Sequence, residues 1–167
     1  VMDAKNGEIL SAASFPEFDN NIFARGISVK EWNEMRNDFN HPFTNKIING
    51  LYPPGSVIKM GVALAFLENG IKDNFNVNCT GSITIGNRNF RCWKSSGHGN
   101  VGFRKAISES CDDFFYKGSL KIGINKISNT LDKLGFGQQS GVDQINEFFG
   151  VNPNKEWKEK KYNQPWY

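Results

Sequence analysis

Histidine and cysteine are scarce in this 167-residue chain: His41 and His98 are the histidines, and Cys79, Cys92 and Cys111 are the cysteines. An odd number of cysteines excludes a framework in which every thiol is paired within the chain. Long apolar runs are missing as well. The longest lies near residues 57–67, is interrupted by Lys59, and is too short to span a bilayer. No secretory leader pattern is visible, and the chain opens at Val1 without an initiator methionine, so an excised piece of a longer protein is expected. Internal repeats and low-complexity blocks are absent. So is any large charge excess: the net charge is +3, and the one basic run, Lys158, Lys160 and Lys161, reads as solvated surface rather than a nucleic-acid site. What is there is globular in kind, 38% apolar and 22% charged, in a length that suits one core better than two.

Local signals order the chain as hairpin, helices, hairpin, helices. Val1–Ala4 and Glu8–Ala12 flank Asn6-Gly7, the preferred pair for a type I′ turn, which predicts an opening hairpin. Ser28 followed by Glu31 predicts a capped helix running to about Arg36. Residues 38–55 read as loop. Residues 56–68 form a helix that is apolar on all sides except at Ser56, Lys59 and its end, with Gly70 as its stop; a helix apolar all round is expected to be buried. Residues 76–93 predict a second hairpin around Gly86-Asn87, and residues 97–100 a turn. Helices are then expected at about 102–109, 112–122 and 124–134, and loop beyond Gly141. This order predicts an α+β fold with helices packed on an antiparallel sheet that is short of strands.

Ser56-Val57-Ile58-Lys59 is an S-x-x-K tetrapeptide. On a helix its first and last side chains share a face, with Cβ atoms about 5–6 Å apart. A serine hydroxyl becomes a nucleophile when a base takes its proton, and a lysine serves as that base when burial or nearby cations lower its proton affinity. Roughly one S-x-x-K is expected by chance in a chain of this length, where it would be an N-cap serine and a surface lysine. The context weighs the other way. The motif opens the one wholly apolar helix, directly after Tyr52-Pro53-Pro54-Gly55, and a helix N-terminus favours negative charge developing near Ser56.

Tyr52-Pro53-Pro54-Gly55-Ser56 with Lys59 resembles the active-site signature of class B penicillin-binding proteins, a superfamily in which S-x-x-K is one of three motifs. Ser110-Cys111-Asp112 stands where the second motif is expected, and its aspartate resembles the penicillin-binding protein 2 branch, which builds the lateral wall of rod-shaped bacteria. Val1–Ala4 with residues 6–10, Arg91–Lys94 with Gly97-His98-Gly99, Phe114-Phe115-Tyr116 and Pro165-Trp166-Tyr167 extend the resemblance over nearly the whole chain. It implies the penicillin-binding transpeptidase (serine β-lactamase-like) fold, incomplete here. It also implies a peptidoglycan D,D-transpeptidase of cell-wall elongation at the periplasmic face of the bacterial inner membrane. Ser56 would attack the D-Ala-D-Ala carbonyl of a stem peptide and Lys59 would take its proton. Ser110 would help pass a proton to the leaving D-alanine, and Asp112 would bind substrate or orient the lysine. An amine of another stem peptide would resolve the acyl-enzyme, β-lactams would acylate Ser56 and stall, and a scaffold protein and a glycosyltransferase of the elongation machinery would be partners.

The third motif, K-T-G, does not occur in these residues, and the family continues past the position of Tyr167. Residues 1–167 are therefore expected to be a partial transpeptidase domain without pedestal and membrane anchor. Losing one oxyanion-hole donor costs about 10²–10³ in rate, so the isolated chain should turn over little substrate; cross-linking by it at normal rates would contradict this. The cysteines raise a second question. Cys79, Cys92, His98 and Cys111 have spacings unlike a standard zinc finger. Their placement around the second hairpin and inside the second motif supports a structural zinc site, as does the resemblance, since some relatives hold zinc at similar places. The alternative is a Cys79–Cys92 disulfide with a buried Cys111. His41 is expected on surface or loop. Two other functional readings stay open: a serine β-lactamase or β-lactam sensor, and a catalytically incomplete interaction module.

Overall fold

The computed structural model describes residues 1–166; Tyr167, the last residue of the Pro165-Trp166-Tyr167 resemblance, lies outside the described residues. The chain packs as two compact units where a single core was expected: Val1–Tyr52 with Gln139–Phe149, and Pro53–Gln138 with the residues from Gly150 onward. No helix among the described residues is long and apolar enough to cross a membrane.

The first unit holds helices α1 (Asn21–Ala24) and α2 (Val29–Arg36). The capping signal at Ser28 is realised in both directions: the Glu31 N–H donates to the Ser28 hydroxyl, and the Ser28 N–H donates to the Glu31 carboxylate. A small aromatic cluster of Phe18, Phe23, Phe43 and Trp32 gives this unit its apolar contacts. The opening hairpin is reduced to a single bridge between Met2 and Ile9. Its turn is not type I′, because Gly7 is left-handed at φ +80° and Asn6 is not. Instead the Asp3 and Asn6 side chains accept from the Lys5 and Glu8 N–H groups, local bonds that compete with the tight turn. His41 is exposed in a loop, as expected.

The second unit carries the candidate site. A 3₁₀ turn, Gly55–Ile58, leads into α3 (Lys59–Glu68). Strands follow: β1 (Asn76–Cys79), β2 (Ser82–Ile85), β3 (Arg88–Arg91) and β4 (Gly99–Gly102). Helices α4 (Phe103–Ser108), α5 (Asp112–Ile122) and α6 (Ile124–Lys133) match the expected positions closely. Gly70, at φ +88°, ends α3 with the Ile71 N–H donating to the Phe66 carbonyl. The predicted hairpin is the antiparallel β2–β3 pair. The residues before it do not join that pair: β1 pairs with β4, across 19 intervening residues, so the expected turn at residues 97–100 is partly strand. A final helix, α7 (Lys155–Tyr162), stands where loop was expected, started by the Asn154 side chain accepting from the Trp157 N–H.

Phe66, Phe114 and Phe115 form the centre of this core, with Val101, Ala106, Ile127 and Leu131 around them. The burial expected for α3 is only partial. Ala63, Ala65 and Phe66 are buried, but Val57, Met60, Leu64 and Leu67, a stripe along the other side, are exposed. Helices α3 and α5 approach closely at Gly118, where a Cβ would lie 2.2 Å from the buried Phe66 ring. Gly118→Ala should therefore destabilise the protein by about 1–3 kcal/mol, as overpacking does, read as a lower denaturation midpoint. An unchanged midpoint would mean that the ring has room to move.

Candidate active site

Ser56 is exposed in the 3₁₀ turn, and Lys59 follows at the first position of α3, partly buried. Their spacing predicts a shared face, but the hydrogen bonds of the lysine go to Ser110 and Asp112 and not to Ser56. Lys59 Nζ donates to the Ser110 carbonyl at 2.8 Å, to Ser110 Oγ at 2.9 Å and to Asp112 Oδ1 at 2.6 Å. These three acceptors satisfy all three ammonium donors. The Phe115 ring lies 5.6 Å from the same nitrogen. Ser110 Oγ in turn donates to Ser56 Oγ at 3.0 Å. The four residues singled out in the sequence thus form one chain of hydrogen bonds, with Ser110 standing between Ser56 and Lys59.

Ser110 owes its place to a helix ending. Its φ is +50°, left-handed and uncommon for a residue other than glycine. The Cys111 N–H donates to the Ala106 carbonyl and the Ser110 N–H to the Ile107 carbonyl. That pair of bonds is the Schellman pattern closing α4, with serine at the position usually held by glycine. Asp112 then opens α5. Its second oxygen, Oδ2, accepts from the Trp93 backbone N–H at 3.0 Å, and the Trp93 indole N–H donates to the Glu109 carbonyl at 2.9 Å. Trp93 lies in the Arg91–Lys94 stretch that contributes to the resemblance, but nothing in the sequence assigned it or Glu109 a role at the site.

Beside this chain lies the thiol cluster. Cys79 ends β1, Cys92 follows β3, His98 precedes β4 and Cys111 caps α5, and all four are buried. Their donor atoms lie within 4.8 Å of one another, and His98 Nδ1 is 3.5 Å from both Cys79 Sγ and Cys92 Sγ. The edge joining a sulfur and a nitrogen ligand of tetrahedral zinc is about 3.6 Å at ordinary bond lengths, so these separations fit a shared ion. All three cysteines are free thiols, which does not match the disulfide alternative. The chain turns tightly here: Gly97 is left-handed at φ +78°, and a Cβ on it would lie 2.2 Å from the Cys79 carbonyl oxygen.

The electrostatics point the same way. Burial pushes the Cys92 thiol up, but the N–H groups of Lys94, Asp113 and Asp112 and a bond to Cys79 outweigh it and leave it lowered. Burial, then the Cys79 and Cys92 thiols, push Cys111 up to about 12, against a bond from the Phe114 N–H. Three ionised thiols at this separation would need a cation among them. His98 Nε2 is buried without a hydrogen bond, 3.8 Å from the Glu109 carboxylate. A carboxylate behind a ring is the usual support of a metal-bound histidine.

Residues 1–165 match the family described as the penicillin binding protein transpeptidase domain. The peptidoglycan D,D-transpeptidase MrdA of Haemophilus influenzae is 37% identical over 169 residues, covering 99% of this chain and 26% of the relative. Among solved structures, penicillin-binding protein 2 of Helicobacter pylori is 49% identical with a TM-score of 0.91, covering 99% of this chain and 32% of that one, and its complex with MreC matches equally well over 31%. The Pseudomonas aeruginosa penicillin-binding protein 2 bound to WCK 5153 is 37% identical with a TM-score of 0.83, covering 93% of this chain and 34% of that one. The chain therefore spans about a quarter of the curated relative and about a third of each of these structures.

Proposed function

Since the chain belongs to the penicillin-binding protein transpeptidase family, we propose that it carries the acylation machinery of a peptidoglycan D,D-transpeptidase acting in cell-wall elongation. The observation that carries the reading is the hydrogen-bond chain Ser56–Ser110–Lys59–Asp112. Ser56 Oγ attacks the carbonyl carbon of the penultimate D-alanine of a stem peptide, and its proton passes through Ser110 Oγ to Lys59 when the lysine is the free amine. The tetrahedral intermediate collapses to an acyl-Ser56 ester, and the same path returns the proton to the departing D-alanine amine. An amine of a second stem peptide then attacks the ester, frees Ser56 and completes the cross-link. Asp112 holds the lysine through a short ion pair, with both groups largely shielded from water. A β-lactam follows the first half of this course, but its opened ring stays attached and the ester persists.

Cys79, Cys92, His98 and Cys111 would hold a structural zinc ion. When bound, the ion supplies the charge that lets three buried thiolates coexist. The protein's own residues do the rest: the cluster ties β1, β3 and β4 to the start of α5, and so to Ser110 and Asp112. With stem peptides as substrate, the protein would work at the periplasmic face of the inner membrane; the relatives named as peptidoglycan D,D-transpeptidases support the substrate. A protein like the MreC bound to the Helicobacter relative, acting as a scaffold, and a glycosyltransferase would be partners.

The test is acylation of the full-length protein by a fluorescent penicillin. Mass analysis should find one adduct per chain, in the peptide containing Ser56. An adduct elsewhere, or fast turnover with no accumulated ester, would overturn the reading, and fast turnover would favour a β-lactamase.

A further inference from the structure

We propose that Trp93 is a positioning residue for the acylation step, bracing the four-residue turn from Glu109 to Asp112 on which Ser110 sits. The inference rests on the assignment of Ser56 as the acylated residue. Trp93 is 65% exposed, a costly place for a large aromatic side chain, yet both of its N–H groups are used. The indole N–H donates to the carbonyl of Glu109, the residue that ends α4. The last carbonyls of a helix have no partner within it, so this bond caps α4 from outside. The backbone N–H donates to Asp112 Oδ2, at the start of α5. One residue, distant in sequence, thus holds both ends of the turn.

Between those ends Ser110 sits in a left-handed conformation that serine does not favour, and its hydroxyl must reach Ser56 on one side and Lys59 on the other. Such a conformation persists when its surroundings over-determine it. The Schellman bonds and the bond from Lys59 Nζ to the Ser110 carbonyl supply part of that restraint, and the brace adds to it. The carboxylate of Asp112 is shared: Oδ1 takes the lysine and Oδ2 takes Trp93, so the N–H of Trp93 also fixes the rotation of the group that holds Lys59. The ring rests edge-on against His98, centroids 5.2 Å apart, which joins the brace to the thiol cluster.

The test measures the two stages of β-lactam capture in the full-length protein: the dissociation constant of the first complex and the acylation rate constant. Trp93→Phe keeps the backbone N–H and an aromatic ring but loses the indole donor. A second variant, with benzothienylalanine at 93, keeps the shape of the indole and puts sulfur in place of its N–H. Both should acylate about ten-fold more slowly, the cost of one net hydrogen bond. The dissociation constant, the zinc content and the melting temperature should stay near those of the wild type. Wild-type acylation by the benzothienylalanine protein would overturn the proposal, as would a slowing that follows loss of metal or of fold. A wild-type protein that is not acylated at Ser56 would instead defeat the functional assignment, and the brace with it.

Discussion

Ser110→Gly will separate activity from stability. In the full-length protein, acylation by a β-lactam should fall by about 10²–10⁴-fold, the usual worth of a positioned proton-transfer group. The reason lies in the hydrogen-bond chain: among the described residues, Ser110 Oγ is the one atom that bonds to both Ser56 Oγ and Lys59 Nζ. Without it the lysine keeps the carbonyl of residue 110 and Asp112 as acceptors and loses its path to Ser56. The backbone moves the other way. At φ +50°, serine carries left-handed strain that glycine does not. Ser110→Ala provides the comparison, because it removes the same hydroxyl and keeps the strain. The two variants should be equally slow, with the glycine protein more stable than the alanine protein by ~1 kcal/mol. Equal denaturation midpoints would show that the turn is unstrained. An alanine variant that acylates at the wild-type rate would show that Lys59 reaches Ser56 without Ser110.

The second large effect is on stability. Full-length protein prepared without chelator should hold one zinc per chain, and Cys111→Ser should lower that occupancy and the melting temperature together. Metal binding to such sites is coupled to folding with apparent free energies on the order of 10 kcal/mol. The loss in this unit should be large even if part of it is masked by the rest of the protein. Two features make Cys111 the informative position. Its thiol is pushed up to about 12 by burial and by the other thiols, so without a cation it stays protonated. It also lies between Ser110 and Asp112, so its displacement moves the catalytic turn directly. Acylation should slow along with the metal loss. Less than about half an equivalent of zinc in carefully prepared wild-type protein, with free thiols that titrate normally, would argue against the ion.

The chemistry of the site was more legible than its geometry. Ser56 and Lys59 announce themselves because their pairing is local, set by one helical turn. Ser110 and Asp112 were found through resemblance, but nothing local told that Ser110 would stand between the other two. That depends on a left-handed helix ending, which serine does not advertise. The apolar residues of α3 predicted burial on every side, yet the described residues pack against only one side of it. The pairing of β1 with β4 was hidden because it is not a hairpin; the chain between them makes its own hairpin first. The helix at Lys155–Tyr162 was missed because its charge swamps any apolar periodicity. Its signals were the Asn154 cap, Glu156 in the first turn and lysines in the last. The thiol cluster was legible as a set of residues, because a chain this poor in cysteine and histidine offers few ways to assemble one.

The stripe of Val57, Met60, Leu64 and Leu67, running from the 3₁₀ turn that holds Ser56 into α3, has a practical side. Four apolar side chains in line on one exposed surface are adhesive in water. Concentrating the 167-residue chain by itself should bring such stripes together, so that its light scattering grows faster than its concentration and mild detergent reverses the growth. Loss of material during handling of this chain would then report the stickiness of this surface, and not an unfolded site.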